Sequence, residues 1–343
     1  MRIPASQQRY ELVKQAQGFI LQRDDNAPVP GPAEYEVLIR VRAASLNRRD
    51  VAITRGFYPV GSRERLVPLS DGAGEVVAMG PKSTRFKPGD RVVGTFFQNW
   101  LSGRATATTG ASALGGALNG MLAQYVSLHE DGLLAIPPSL SYEQAAALPC
   151  AGVTAWVGLM RCGHLLAGDT VLLQGTGGVS VLGLQIALAA GAQAYVTSSS
   201  DAKLQHAKTL GASGLINYKT TQDWEKSVRE LTAGIGVNHV LEVGGSGTLA
   251  KSIAAASPGA HIALVGGLAG FGGDIPAVAL IGKNIGVTGI FVGSRADFAA
   301  LLAFVEQHKI KPAIDRSFEF SNAAAAYQHM ESGSHFGKIV IRH

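Results

Sequence analysis

Short apolar runs punctuated by glycine and proline fill the first third of the chain, whereas the middle alternates such runs with longer stretches of helical period. Residues 36–41 (Glu-Val-Leu-Ile-Arg-Val) and 74–79 (Gly-Glu-Val-Val-Ala-Met) read as half-buried strands. Pro88, Gly89 and Asp90 form a turn ahead of another strand, so residues 10–93 are expected to be all β. Strand character returns at 123–126. Ser141 then caps an Ala-rich helix that stops before Pro149, and a second helix is expected over 153–160. From there strands at 171–174, 194–197, 215–218, 239–243 and 262–265 alternate with helices, including 223–231 and 249–256. That alternation predicts an α/β domain with a doubly wound parallel sheet, whose ligand lies beyond the carboxyl ends of the strands. Gly175, Gly244 and Gly266 mark three of those ends. A helix over 296–308 and strands at 318–320 and 337–341 complete the pattern, and the last strand is expected to return to the first domain.

The sharpest change of period falls at Gln174-Gly175-Thr176-Gly177-Gly178-Val179-Ser180, between a strand and a helix. Glycines there permit a tight turn and the close approach of backbone to a pyrophosphate, and the first N–H groups of the helix face the anion. Ser180 stands at the third fingerprint position, where Gly or Ala is usual. About 20 residues on, where a cofactor with a free ribose calls for a carboxylate, the chain has Ser198, Ser199 and Ser200, then Asp201 and Lys203. Hydroxyls and an ammonium suit a 2′-phosphate, which favours NADPH over NADH. Asp201 keeps NADH open if it points inward, and the serines also read as the cap of the next helix.

At 343 residues the chain is long enough for two domains, and with 46% hydrophobic and 16% charged residues it is globular. The net charge of +5 comes from scattered Lys and Arg without interleaved aromatics, so nucleic acid is not an expected partner. A cluster of Arg40, Arg42, Arg48, Arg49, Arg55, Arg63 and Arg65 reads first as a solvated face, otherwise as a cleft that concentrates an anionic cofactor. There is no export signal, no membrane span and no disulfide framework, the only cysteines being Cys150 and Cys162, so a cytoplasmic protein is expected. Residues 98–120, rich in Gly, Ala, Ser and Thr, read either as a flexible cover near the active site or as disorder.

Gly72-Ala73-Gly74-Glu75-Val76, Pro88-Gly89-Asp90-Arg91-Val92 and the Gly175 turn, in that order, resemble the medium-chain dehydrogenase/reductase superfamily over nearly the whole chain. The resemblance implies a GroES-like β-barrel catalytic domain (1–145 and 290–343) and a Rossmann dinucleotide-binding domain (146–289), with the active site between them. It also poses the question of metal. Zinc alcohol dehydrogenases of this family place a Cys, a His and a later Cys or Asp where this chain has Asn47, Ser70 and Cys150. A catalytic zinc needs three N, S or O ligands of adequate strength, and a lone Cys cannot hold it. The chain therefore resembles the zinc-independent branch of quinone oxidoreductases and enone reductases. It departs from that branch at Arg48, where an aromatic is common, and in the loop after Gln98.

Hydride transfer to an acceptor leaves negative charge on oxygen, and without a metal hydrogen-bond donors must stabilise it. One preorganised donor contributes about 2.7–4 kcal/mol, so an easily reduced acceptor, a quinone or an enone, is expected. Asn47 leads the donor candidates, followed by Arg48, Tyr58, Ser70 and Thr154, with proton delivery from Tyr58 or water. By the family's pattern Gly175, Thr176, Gly177, Gly178 and Val179 would hold the pyrophosphate, and Ser198, Ser199, Lys203 and Tyr218 would surround the 2′-phosphate. Gly244, Gly266, Phe291 and Lys338 would lie toward the nicotinamide. An alcohol dehydrogenase acting on small alcohols or aldehydes and a non-catalytic NADPH-binding protein are the competing readings. The run at 287–291 looks like an edge strand, which in relatives pairs with its copy, so a homodimer is expected.

Overall fold

The computed structural model describes residues 3–270 and 272–343, and the chain divides into two compact units, Met1–Cys150 with Gly293–His343, and Ala151–Val292. Among the described residues no helix is long and apolar enough to cross a membrane.

The Ala151–Val292 unit is built on six strands that all run parallel, in the spatial order Gly214–Asn217, Gln193–Ser198, Thr170–Gln174, Val237–Glu242, Ala256–Leu264, Gly286–Gly289. The chain starts in the middle, winds outward to one edge, then returns to wind toward the other. This is the doubly wound order in which two strands diverge at a switch point. Val171, Leu172 and Leu173 on the first strand are wholly buried, as expected for a strand covered on both faces. The helix Gly178–Ala189 follows that strand directly and is apolar on nearly every side, with seven of its residues buried. It lies close because residue 183 has no side chain: a Cβ there would stand 2.5 Å from Leu241 Cδ1 and 3.0 Å from Leu173 Cδ2.

The other unit carries a seven-stranded sheet whose main path runs Ile314–Glu319, Lys338–Arg342, Glu36–Leu46, Asp71–Met79, Arg91–Gly94, Leu133–Ala135, with Tyr125–His129 pairing on Glu36–Leu46. A smaller sheet joins Phe19–Pro28, Ser6–Lys14 and Arg65–Leu66. Lys338–Arg342 lies antiparallel to Glu36–Leu46, with Ile339 opposite Leu46 and Ile341 opposite Ala44. Residues from both ends of the chain thus share one core, in which Val37, Ile39, Val41, Leu46, Val76, Leu114, Ile339 and Ile341 meet. The helix Ala323–Ser332 adds Ala323, Ala326, Tyr327 and Met330 to it, a spacing that puts all four on one face.

Two expectations about this unit are corrected. Residues 10–93 are not all β, because the helix Arg48–Thr54 leaves the end of the long strand; Asn47 is its cap and the Asn47 N–H donates to Asp50 Oδ2 at 2.7 Å. Of residues 98–120, read as a flexible cover or as disorder, the part from 112 onward packs into the unit, whereas 101–108 are exposed. Phe97 bridges to Ala113, Leu114 is fully buried, and Met121 N–H donates to Leu69 O at 2.8 Å. The small residues of this stretch permit contact: a Cβ at Gly120 would lie 2.1 Å from Leu69 O. The wrap holds Leu69 at φ +69°, a left-handed conformation that costs a non-glycine residue about 1–3 kcal/mol.

Gly183→Val puts a branched side chain into the helix–sheet contact and is expected to destabilise the Ala151–Val292 unit by about 1–3 kcal/mol. The thermal unfolding midpoint measures it, and an unchanged midpoint would contradict the packing described.

Candidate functional site

The nucleotide candidates gather at the carboxyl edge of the parallel sheet. Gly175 follows the Thr170–Gln174 strand with φ +71°, a turn that favours glycine, and Gly177 caps the helix Gly178–Ala189 without a side-chain hydrogen bond. The first N–H groups of that helix therefore have no intrahelical acceptor, and Thr176 and Val179 flank them. Ser180 is compatible with close packing because its Oγ donates to Gln174 O at 2.6 Å. Ser198 ends the neighbouring strand, and Tyr218 N–H donates to Ser198 O at 3.0 Å, which brings the end of the third strand beside it. Ser200, rather than Ser198 or Ser199, caps the helix Asp201–Thr209, accepting from Lys203 N–H. Asp201, the residue that kept NADH open, accepts from Asn217 Nδ2 at 2.8 Å.

Gly244, Gly266 and Phe291 follow the Val237–Glu242, Ala256–Leu264 and Gly286–Gly289 strands, and Phe291 is exposed. The turn after Glu242 is shaped by a residue that the sequence pattern did not single out. Glu242 is 0% exposed; its Oε1 accepts from Gly244 N (2.7 Å), Gly245 N (3.0 Å) and Thr248 Oγ1 (2.6 Å), and its Oε2 accepts from Gln174 Nε2 (2.7 Å) and Ser252 Oγ. A carboxylate satisfied on both oxygens can sit in the interior. It ties the ends of two strands to the glycine turn between them. An acid closing an apolar strand ahead of Gly-Gly was the available signal.

The other unit contains a polar knot. Lys338 is 2% exposed, and its ammonium donates to Leu46 O at 2.6 Å and to Asn47 Oδ1 at 2.7 Å, and stands 3.6 Å from Asp71 Oδ2. Ser70 Oγ donates to Asp71 Oδ1 at 2.7 Å, and Cys150 N–H to Asp71 Oδ2 at 3.3 Å. The three positions compared with zinc ligands, Asn47, Ser70 and Cys150, are thus drawn together around a lysine–aspartate pair. The set is poor for zinc: an amide, a hydroxyl whose hydrogen goes to Asp71, and a thiol whose pKa is pushed well up by burial, beside a fixed ammonium. Among the described residues no group of three or more His, Cys, Asp or Glu is placed to hold a metal ion.

The ammonium of Lys338, a residue expected toward the nicotinamide, is engaged by these acceptors. Ser70 is wholly buried with its hydrogen given to Asp71, which leaves no free donor there. Arg48 is exposed, while its neighbour Arg49 turns inward, donating to Leu114 O at 2.8 Å and lying over the rings of Tyr58 (4.9 Å) and Phe96 (4.6 Å). Tyr58 is half-buried, and that burial raises its phenol pKa, against the opposing pull of Arg49. Thr154 belongs to the Ala151–Val292 unit, buried in the helix Ala151–Trp156.

Asp50 is the second buried acid that the sequence pattern passed over, although Asn followed three residues later by Asp is a cap-like spacing. Burial raises its pKa from 3.8 to about 6, against the opposing effects of Arg49, the Asn47 N–H and Lys338. The folded chain therefore holds this proton to higher pH than the unfolded chain does. Its contribution is full below about pH 4 and is lost as pH rises through about 6. Asp50→Asn, which keeps an acceptor for the Asn47 N–H, is expected to add about 2 kcal/mol near pH 8 and little at pH 4. Urea midpoints of both chains across that range measure it, and a difference independent of pH would refute it.

Comparison with known proteins agrees with this two-part arrangement. The family model described as "Alcohol dehydrogenase GroES-like domain" matches residues 33–138, and that described as "Zinc-binding dehydrogenase" matches residues 178–307. A zinc-type alcohol dehydrogenase-like protein of Schizosaccharomyces pombe is 42% identical over 97% of this chain and 99% of its own length. A 2-methylene-furan-3-one reductase of Solanum lycopersicum is 30% identical over 99% of this chain and 80% of its own. Among solved structures, a Sinorhizobium meliloti 1021 protein provisionally assigned as an alcohol dehydrogenase superposes with a TM-score of 0.92 at 40% identity, covering 99% of this chain and 100% of that one. With its doubly wound sheet, its GroES-like unit and these relatives, the chain belongs to the medium-chain dehydrogenase/reductase superfamily and is an oxidoreductase.

Proposed function

We propose that this chain is an NADPH-dependent reductase of quinones or activated alkenes that works without zinc. The observation that carries the reading is the composition of the knot: where zinc enzymes of the family gather ligands, Asn47 offers a carboxamide and Lys338 a cation. A divalent ion would meet like charge there, whereas an oxygen acquiring negative charge would meet a donor. The relative named for a 2-methylene-furan-3-one points the same way, because that name describes a conjugated enone.

The backbone of Gly175 to Val179 would hold the pyrophosphate against the open N–H groups of the helix that follows. Ser199, Lys203 and Tyr218 would surround a 2′-phosphate, and Asp201 has one of its oxygens turned to Asn217 Nδ2. Bound NADPH supplies a hydride from nicotinamide C4. An oxygen gaining charge as an enone or quinone accepts that hydride would meet the Asn47 amide as donor. The resulting anion would need one proton, from the Tyr58 phenol or from water. An enolate or hydroquinone anion spreads its charge over several atoms, so one amide donor suffices where a simple alkoxide would need more.

Purified chain assayed with NADPH and NADH against quinones, enones and primary alcohols, with zinc measured on the same sample, tests this. Turnover of an enone or quinone with NADPH preferred and no stoichiometric zinc is the expected result. Alcohol oxidation by a chain holding one zinc would overturn it in favour of an alcohol dehydrogenase. Asn47→Ala is expected to lower kcat about 100-fold while leaving nucleotide affinity in place.

We also propose that two copies associate through the Gly286–Gly289 strand, which ends its sheet. The preceding helix Ala277–Lys283 exposes Val278 (85%) and Ile281 (80%) on one face. Light scattering is expected to return twice the mass of one chain, and a monomer at micromolar concentration would end the idea.

A further inference from the structure

A carboxamide has two ends of similar size and opposite chemistry. Oxygen accepts and nitrogen donates, so an amide can present either end unless its neighbours distinguish them. At Asn47 one neighbour does. An ammonium carries three donors and no acceptor, so Lys338 tolerates only the oxygen end, which it holds at 2.7 Å. The same ammonium is fixed by Leu46 O at 2.6 Å, one residue earlier on the strand, and Asp50 Oδ2 fixes the Asn47 backbone N–H at 2.7 Å. The amide is thus gripped through both its main chain and its oxygen. Its Nδ2 is buried and has no hydrogen-bond partner among the described residues. An unsatisfied buried donor is costly to keep in a folded protein. A turned-over amide would not relieve it, because nitrogen would then face the ammonium.

We propose that Lys338 is the positioning residue for the hydride acceptor: it locks the Asn47 amide with its donor end toward the acceptor oxygen. This deepens the reading of the chain as a reductase that uses Asn47, and rests on it. The ammonium also lies at the far end of the amide dipole, where its charge polarises the N–H bonds toward a forming oxyanion. Asp71 balances that charge, and is in turn held by Ser70 and by the Cys150 N–H. Ser70 and Asp71 therefore act on the acceptor at one remove, through Lys338.

The test is a double-mutant cycle in the full chain, with Lys338→Met, Asn47→Ala and the two combined, read as kcat and KM separately on the fastest acceptor of the panel. NADPH affinity and the thermal midpoint are measured alongside. The pair Lys338→Met with Asp71→Asn, which removes both charges together, serves if the single variant does not fold. The side-chain amide resonances of Asn47, identified by their loss in Asn47→Ala, report the contact without any substrate. The expected result is a loss of about 100-fold in kcat for Lys338→Met, and under about threefold further loss once Asn47 is already Ala, with nucleotide affinity kept and the Asn47 amide resonances moved. A full loss in the Asn47→Ala background, an unchanged kcat, or unmoved amide resonances would each overturn the proposal. If the wild-type chain turns over only alcohols and aldehydes, the reductase reading falls by itself, and the same cycle read on those substrates decides the role of Lys338.

Discussion

A lysine ammonium that has left water needs acceptors and opposite charge to replace the solvent, and at Lys338 two adjacent acceptors and a nearby carboxylate do so from two separate stretches of chain. Leu46 and Asn47 come from the junction of a strand and a helix, Asp71 from the start of the next strand, and the lysine itself from the last strand of the sheet. The antiparallel register that sets Ile339 against Leu46 leaves residue 338 level with that junction. Were the register one residue different, the lysine and the isoleucine would exchange faces. The core contacts of Ile339 and Ile341 therefore fix where the charge sits, and sheet packing and site chemistry are one constraint.

Glu242 plays the complementary part in the parallel sheet. It is an interior anion that receives two backbone N–H groups, an amide and two hydroxyls, and so holds the turn beyond its strand in one shape. Each unit thus uses a buried charged side chain at one end of a strand to set the polar segment beside it. The cost of burying the charge is offset by hydrogen bonds that would otherwise be made to water. In both cases the groups that would meet a ligand are small and uncharged: glycine N–H groups in one unit, a carboxamide in the other.

How much of this was legible in the amino-acid order depended on whether a feature is local. Parallel strands covered on both faces are continuous apolar runs, and 171–173 or 262–265 announce themselves beside their glycine ends. The turn at Gly175 and the serines at 198–200 are local too, although only the coordinates show that Ser200 is the cap. The helix Arg48–Thr54 was hidden because seven residues give barely two turns of periodicity, and its cap, Asn47, was read as a donor to the acceptor. Residues 98–120 misled for a physical reason. Small side chains mark mobile loops in general, yet here they allow backbone to pass against Leu69, and the Arg49 guanidinium pins Leu114. The pairing of Lys338 with Asn47 and Asp71 had no local signature beyond a charge at the start of an apolar strand.

The separation of Asn47 from Lys338 is 291 residues, and that span has a meaning for how the molecule is made. The Ala151–Val292 unit is one unbroken stretch and has all its strands as soon as the ribosome has delivered it. In the other unit the far part of the long strand, residues 43–46, lacks its antiparallel neighbour, and Asp71 its ammonium, until Lys338–Arg342 has been made. During synthesis the parallel-sheet unit can therefore form before the knot at Asn47 closes, and the edge at residues 43–46 is open to wrong partners in that interval.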